Sequence, residues 1–384
     1  TYGFNDYLNS VINTGWNQIE ELSGIDRGTI ERIGSVISRS KAMIACWAMG
    51  LTQHKNSVYT IQEIANVCLL GGHIGRPGAG LCPVRGHSNV QGDRTVGINH
   101  QPSKLFLDKL SETTGIIAPS KHGVDAVESV RRMRDGKSTV FLSMGGNFLS
   151  SMSDTNATAS ALSKCNLSVQ VSTKPNRSHL ITGKTGIILP SLGRTEIDET
   201  LSGNQFVTVE NSMGVVHASV GKARPASNNL RSEPAIISGI AQALEAKLQR
   251  TRPAANHDNA WRHYFILDWK GLASNYDRVR ELIERNIPGF DNYNERCRQN
   301  GGFYLPNAVR DRREFNTDTG KANFRIHELS SINPESGHFV MMTIRSHDQY
   351  NTTIYGMNDR YRGINYGRRI VLVNQRDMAN HGWK

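Results

Sequence analysis

Residues 138–144 read STVFLSM and run directly into Gly145-Gly146-Asn147, and a second run, NLSVQVS, occupies residues 166–172. Both runs are short and mostly apolar, which predicts two strands buried in a sheet. Apolar residues at helical spacing fill 123–135, and a second helix is predicted from Asp154 or Thr155 to near Cys165. Strand and helix therefore alternate. This order predicts an α/β fold with doubly wound, mainly parallel sheets.

The alternation continues in both directions along the chain. Further strands are predicted at 41–48 (KAMIACWA), 186–189 (GIIL) and 206–210 (FVTVE). Further helices are predicted from Ser57 to the Gly71-Gly72 pair, at 234–248, at about 258–270 and at 274–286. The expected core-facing residues are Val58, Ile61, Ile64 and Cys68 in the first of these helices and Ile237, Ile240 and Leu244 in the second. Two more runs, 339–345 (FVMMTIR) and 369–373 (RIVLV), are predicted strands with no helix between them, which indicates the start of a β domain.

Length and charge limit the classes of function. A chain of 384 residues is long enough for two or three domains. The net charge of +11 fits a basic surface, a nucleic acid or a cofactor that carries pyrophosphates. The positive charges are scattered, which argues against a nucleic-acid-binding module. The longest apolar run, Ala42–Met49, is too short to span a membrane. Because the chain starts at Thr1 and not at a methionine, we expect a truncated start, so the lack of a signal peptide in the first residues says nothing about the full protein.

The cysteines and the glycine-containing motifs argue against several kinds of functional site. The five cysteines are odd in number and have no metal-ligand spacing, so reduced thiols and a cytoplasmic location are predicted. No Cys-x-x-Cys is present to hold an iron–sulfur cluster. The run Gly183-Lys184-Thr185 precedes a predicted strand, unlike a P-loop, and the Gly75, Gly78 and Gly80 cluster follows no strand. A hydrolase is disfavoured because no Gly-x-Ser-x-Gly elbow occurs.

Polar turns follow the predicted strands, where ligands bind in open parallel sheets. They are Gly50–His54, Ser143–Asn147 with Ser150 and Ser151, Ser172–His179, and Arg345–Asn351. A helix N-terminus after Gly145-Gly146 would suit a pyrophosphate, because free N–H groups and the helix dipole would face the anion. A further glycine-rich stretch, 71–97, is predicted to be a long irregular loop that approaches a ligand closely.

Several motifs in order resemble one family. They are GLTQ (50–53), GGHIGRPGAG (71–80), RGHSNVQG (85–92), FLSMGGNFLSSMSD (141–154), VSTKPNRSHLITGKTGIILPSLGRTEID (171–198), ENSMGVVHASVG (210–221), FNTDTGKANF (315–324) and TIRSHDQYN (343–351). Together they resemble molybdopterin oxidoreductases of the formate dehydrogenase alpha-subunit type, and most of all the YdeP-type branch. The resemblance covers most of the chain from about residue 40 to residue 384.

The resemblance implies a role for each matching residue in binding a molybdopterin guanine dinucleotide. The implied residues near the pterin are Gly50, Thr52, Gln53 and His54, with Arg85 and Asn89 lining the same cleft. Those implied at the phosphates of one dinucleotide are Gly145, Gly146, Asn147 and Ser151, and those at its guanosine half are Ser172, Thr173, Lys174 and Arg177. Arg345, His347 and Tyr350 are implied to close over a pterin.

The family also implies parts that these residues do not supply. Its cofactor is molybdenum held by two pterin guanine dinucleotides, with a [4Fe–4S] cluster bound outside this segment. The residue that ligates the metal would lie upstream, so the segment alone should be inactive. The implied domains are 1–54 as the end of one α/β domain, 55–332 as a second, and 333–384 as the start of a double-psi β-barrel. The substrate, with formate as one candidate, and the electron acceptor stay open. The alternative is a nucleotide-binding α/β module without redox chemistry.

Overall fold

A computed structural model of the chain describes residues 1–251, 267–332, 334–350, 354–367 and 369–383. Its helices are α1 (Phe4–Asn13), α2 (Trp16–Ser23), α3 (Arg27–Arg39), α4 (Met49–Thr52), α5 (Ser57–Leu70), α6 (Val90–Thr95), α7 (Lys104–Thr114), α8 (Ala126–Arg134), α9 (Phe148–Ser151), α10 (Thr155–Leu162), α11 (Glu233–Thr251), α12 (Trp269–Ser274), α13 (Tyr276–Asn286), α14 (Tyr293–Arg296), α15 (Ala308–Arg312) and α16 (Gln375–His381). A 3₁₀ helix spans Arg177–Leu180.

The strands are β1 (Ile44–Trp47), β2 (Gly80–Pro83), β3 (Val140–Met144), β4 (Leu167–Ser172), β5 (Thr185–Pro190), β6 (Asp198–Thr200), β7 (Gly203–Gln205), β8 (Val207–Glu210), β9 (Val215–Ser219), β10 (Phe303–Tyr304), β11 (Gln349–Tyr350) and β12 (Ile354–Tyr355). They form two parallel sheets, β1-β2 and β3-β4-β5, and three antiparallel ones, β6-β7, β8-β9-β10 and β11-β12. The chain has a mixed α/β fold, and its longest strand pairs, β3-β4 and β4-β5, are parallel.

One compact unit consists of Thr1–His122, Ile197–Lys222 and Ser238–Val340. In it α5 connects β1 to β2, and the two strands run parallel from the pair Ile44↔Gly80 to the pair Trp47↔Pro83. Its buried core contains Val216, Phe290, Tyr293, Cys297 and Phe303. The rings of Phe290 and Tyr293 pack edge to face with their centroids 4.7 Å apart, and this arrangement adds stability beyond simple burial.

The other unit consists of Gly123–Glu196, Ala223–Ile237 and Met341–Lys384. Its sheet pairs β3 with β4 and β4 with β5, all parallel and in unbroken register. Helices α8 and α10 pack together over one face, where the buried core consists of Met133, Ala161, Leu162 and Cys165. Asp154 caps α10 by accepting a hydrogen bond from the Ala157 N–H at 2.9 Å. Along β3, Phe141 contacts this core, while Val140, Leu142 and Met144 on the other face are exposed.

Most of the predicted elements are confirmed. The structure has the predicted strands at 41–48, 138–144, 166–172, 186–189 and 206–210, and the helices at 57–70, 123–135, 154–165, 234–248 and 274–286, with ends that differ by a few residues. Of the predicted helix at 258–270, residues 258–266 lie outside the described residues. The predicted core positions Val58, Ile237, Ile240 and Leu244 are wrong, because each is exposed by 36% or more.

Three other predictions need correction. Residues 71–97 are not one irregular loop, because β2 and α6 form within them. The strand at 206–210 is not part of a parallel sheet, since β8 pairs antiparallel with β9. The runs 339–345 and 369–373 are not strands, and the described part of the chain contains no closed barrel. Both runs are apolar and largely exposed, and among the described residues neither run is paired in a sheet.

Candidate functional site

The carboxyl edge of the β3-β4-β5 sheet begins with two consecutive glycines. Gly145 and Gly146 have φ angles of 67° and 73°, in the left-handed region that other L-residues adopt only with strain. The space where a side chain would stand is open at both positions. Glycine is therefore required at both positions by the backbone conformation and not by contact with neighbouring atoms. The open space leaves the backbone of this turn accessible to a ligand.

A buried hydrogen-bond network joins this turn to the loop after β4. The Ser178 hydroxyl donates to Asn147 Oδ1 at 2.7 Å and accepts from the Leu149 N–H at 2.9 Å. Asn176 Nδ2 donates to the Gly146 carbonyl at 2.8 Å. Ser178 is 2% exposed, and the Gln170 amide donates to its carbonyl at 3.1 Å. The loops after β3 and β4 therefore form one connected surface.

The other predicted residues of this edge lie at its surface. Thr173, Lys174 and Arg177 are exposed, and neither cation has a carboxylate partner among the described residues. The Ser172 hydroxyl donates to the Lys174 carbonyl at 2.8 Å. The Ser151 hydroxyl donates to the Phe148 carbonyl at 3.0 Å. The two serines thus bond locally, while the two cations are available to an anion.

The β1-β2 pair has a second carboxyl edge, which belongs to the other unit. Gly50 and Thr52 lie in α4, a single turn of helix directly after β1, and Thr52 donates from its hydroxyl to the Met49 carbonyl at 3.1 Å. Gln53 and His54 follow and are exposed. Arg85 lies just beyond the end of β2, and because β1 and β2 are parallel and in register, both turns leave the same edge.

The loop from Arg85 to Gly92 is anchored to β8 by Glu210. The Thr95 hydroxyl donates to Glu210 Oε2 at 2.6 Å, and the Glu210 N–H donates to Asn89 Oδ1 at 3.0 Å. The Arg85 N–H donates to the Ser212 hydroxyl at 3.0 Å, and its guanidinium donates to Gln91 at 3.2 Å. Asn89 therefore has a structural role in addition to the one implied by the resemblance.

The third set of predicted residues is organised by Asp359. This residue is fully buried, and its carboxylate accepts from Arg362 Nη1 at 2.9 Å and from the His347 N–H at 3.2 Å. Burial favours the neutral acid, but the hydrogen bonds from Arg362 and from backbone N–H groups outweigh it and hold the pKa of Asp359 below its usual range. Arg345 and His347 are exposed, and the His347 ring packs against Tyr361 at 4.1 Å. Tyr350 lies in β11.

The family model for molybdopterin oxidoreductases matches residues 20–242, more than half of the 384 residues. The chain belongs to the molybdopterin oxidoreductase family. An uncharacterized oxidoreductase of Mycobacterium tuberculosis H37Rv is 46% identical over 380 residues, 99% of this chain and 47% of that protein. Protein YdeP of Escherichia coli K12 is 44% identical over 382 residues, 99% of this chain and 48% of YdeP.

A more distant relative supports the formate dehydrogenase-like branch of the molybdopterin oxidoreductases. It is a Bacillus subtilis protein provisionally named formate dehydrogenase YrhE, 29% identical over 142 residues, 35% of this chain and 14% of that protein. The chain spans about half the length of the first two relatives. Within the described ranges, no group of three or more His, Cys, Asp or Glu residues could hold a metal ion. Nor does any described helix have the length and apolar character needed to cross a membrane.

The structure also shows structural roles at the site that the sequence did not predict. Ser178, Glu210 and Asp359 each hold a loop of the chain in place through partners distant in sequence. The Asn176-x-Ser178 pattern is the one available signal, since an Asn side chain often bonds to the N–H two residues on. The helix expected after Gly145-Gly146 is only the single turn α9. A dipole of that length adds little, so the expected helix-dipole contribution is corrected.

Proposed function

We propose that this chain is the part of a molybdenum oxidoreductase, formate dehydrogenase-like in its chemistry, that binds a molybdopterin guanine dinucleotide. The observation that carries the proposal is the double turn at the carboxyl edge of β3 and β4, which joins a Gly-Gly backbone to a loop with two exposed cations. Membership of the family supports the pterin, and the position at a parallel-sheet edge supports a nucleotide-like ligand.

The residues present fit the organic part of such a cofactor. Open backbone at Gly145-Gly146 suits phosphate oxygens, and the charges of Lys174 and Arg177 suit the anionic guanosine half of the dinucleotide. Asn147 and Ser151 belong to the same proposed phosphate site as the two glycines, and Ser172, Thr173, Lys174 and Arg177 belong to the guanosine half. In the other unit Gly50, Thr52, Gln53 and His54 would contact a pterin, with Arg85 and Asn89 beside them. Arg345, His347 and Tyr350 would contact a pterin as well.

The described residues do not fit the metal in the same way, because no cluster of metal ligands occurs among them. We therefore place the molybdenum ligand and the [4Fe–4S] cluster in the proposal outside these residues. When bound, the cofactor supplies two-electron transfer, and the role of this chain is to position it. The proposal keeps the three predicted domains 1–54, 55–332 and 333–384, a cytoplasmic location, and formate as the first substrate to test.

The direct test is the molybdenum, iron and pterin content of the protein purified from its native reading frame in a host that makes the cofactor. The proposal expects about one molybdenum and two pterins per chain, and the release of guanosine monophosphate on acid hydrolysis. Absence of both metal and pterin would contradict the proposal and favour the nucleotide-binding module without redox chemistry.

A matched pair of lysine variants tests the proposed site of the guanosine half. Lys174 follows β4 at the carboxyl edge of the sheet, whereas Lys184 precedes β5 at the amino edge, and both are exposed. Loss of one charge-assisted contact costs about 1.5–3 kcal/mol, so Lys174→Ala should lose pterin about 10- to 150-fold faster in mild denaturant. Arg345→Ala should show a loss in the same range. Lys184→Ala should match the wild type. Equal retention in all four proteins would refute the assigned residues without bearing on the presence of the cofactor.

A further inference from the structure

Two of the five cysteines are opposite each other on neighbouring strands. Cys46 in β1 and Cys82 in β2 are register partners in the parallel pair. Both thiols are free. The proposed cofactor-binding function uses neither of them.

The spacing of the strands suits a covalent link. Neighbouring strands lie about 4.8 Å apart, and residues in register carry their side chains on the same face of the sheet. Disulfides join residues whose Cα atoms are about 4.4–6.8 Å apart. Register partners on neighbouring strands therefore come within the reach of a disulfide.

The two thiols differ in access, which sets the order of reaction. Cys46 is exposed, whereas Cys82 is partly buried. Burial, together with the neighbouring Cys46, raises the pKa of the Cys82 thiol above its usual value. Because the thiolate is the attacking species, Cys46 should react first with a reagent from solution. The other three cysteines, Cys68, Cys165 and Cys297, are buried by 99% or more.

We propose that Cys46 and Cys82 form a site of reversible thiol modification that takes low-molecular-weight disulfides, such as oxidised glutathione, and closes into an intrachain disulfide. In the first step the Cys46 thiolate attacks one sulfur of glutathione disulfide, a mixed disulfide forms, and one glutathione thiolate leaves. In the second step the Cys82 thiolate attacks the Cys46 sulfur and displaces the second glutathione. Two electrons and two protons pass from the protein dithiol to the glutathione disulfide, and reduced glutathione reverses both steps.

The experiment maps thiols on the protein purified from its native reading frame. The protein is reduced, freed of reductant, incubated with oxidised glutathione, quenched in acid and alkylated, and its tryptic peptides are analysed without reduction. The expected product links peptide 42–55 to peptide 56–85. Trypsin leaves Cys68 and Cys82 on the second peptide, because the basic residue between them, Arg76, precedes Pro77. Fragment ions then show which of the two cysteines is linked.

Two single variants test the order of the steps. In Cys82→Ser, Cys46 should retain glutathione, at a level about tenfold or more above the wild type, because the resolving thiol is absent. In Cys46→Ser, Cys82 should react about tenfold more slowly than Cys46 does, because it is less accessible. Circular dichroism establishes that both variants are folded.

Two outcomes would overturn the proposal. One is a wild-type protein in which Cys46 carries glutathione and no linked peptide forms. The other is a folded wild-type protein in which neither cysteine reacts. Neither outcome bears on molybdenum or pterin content, so a failure here is distinguishable from a failure of the proposed function.

Discussion

The network between the loops after β3 and β4 predicts a large effect from removing one oxygen atom. In Ser178→Ala, Asn147 Oδ1 loses the donor at 2.7 Å and the Leu149 N–H loses the acceptor at 2.9 Å. Ser178, Asn147 and Leu149 are each exposed by 5% or less, so water cannot replace the hydroxyl without the loop opening. The substitution otherwise removes no apolar contact.

The magnitude follows from the two groups that lose a partner. A buried donor or acceptor left without its partner costs about 1–3 kcal/mol. Asn147 keeps another interaction, so its loss should be at the lower end, and the sum is about 2–4 kcal/mol. A change of about 1.4 kcal/mol is tenfold in an equilibrium constant, so local opening should become about 30- to 1,000-fold more frequent.

Hydrogen exchange measured on peptides that cover α9 is the appropriate assay. The Leu149 amide should exchange about 30- to 1,000-fold faster in Ser178→Ala than in the wild type. Ser163→Ala is the matched control, because that exposed serine makes one local bond, to the Ala159 carbonyl at 3.0 Å, at the end of α10. It should leave exchange in α9 unchanged. If Ser178→Ala changes exchange in α9 no more than Ser163→Ala does, the hydroxyl does not hold the two loops together.

Two more predictions concern the unit that contains β8, β9 and β10. Gly301 and Gly302 have φ angles of 83° and 70°, but only at Gly302 would a Cβ atom overlap the Val216 carbonyl. Gly301→Ala should therefore cost about 1–2 kcal/mol of unfolding free energy and Gly302→Ala clearly more, as urea unfolding would measure, and equal costs would contradict the structure. Asp277 accepts hydrogen bonds from Arg298 and Arg280, which outweigh burial and lower its pKa. Its stabilisation should thus be complete above the unfolded carboxyl pKa of about 3.9 and be lost as the pH falls through the lowered pKa. The difference in urea midpoint between wild type and Asp277→Asn should shrink from pH 6 to pH 3, and a constant difference would argue against the ion pair.

Local sequence was sufficient for elements whose signals are local. The apolar runs that became β3, β4 and β5 and the cap at Asp154 are all read from a few adjacent residues. The pairing of strands in a sheet, in contrast, depends on residues outside the strand itself. The strand β8 was predicted but placed in the wrong kind of sheet, since it pairs antiparallel with β9, which was not predicted, and β9 in turn pairs with β10, roughly 80 residues further along the chain. The strand β2 was missed because its glycine-rich sequence becomes a strand only beside β1.

For the candidate site too, the sequence predicted the local features but not the contacts between distant residues. The sequence located the turns after β1, β3 and β4, since glycines, hydroxyls and cations mark them. It did not show that Asn89 and Asn147 bond within the protein, because their partners, Glu210 and Ser178, lie 121 and 31 residues away. Asp359 was missed for a similar reason, since its carboxylate acts on a loop twelve residues earlier.

The three loops held by Ser178, Glu210 and Asp359 are built in the same way. In each case a residue that bonds within the protein can be distinguished from the exposed residues proposed to contact the ligand. Ser178, Glu210 and Asp359 are buried or half-buried and satisfy groups of the protein itself, whereas Lys174 and Arg345 are exposed. Contacts between exposed charges and a bound anion are screened by salt, with a Debye length of about 10 Å at 0.1 M, while buried hydrogen bonds are screened much less. Pterin retention in the wild type should therefore fall as salt rises, and Lys174→Ala should lose part of that dependence. Ser178→Ala should weaken retention but keep the full salt dependence, because it alters the shape of the loop and leaves its charges in place.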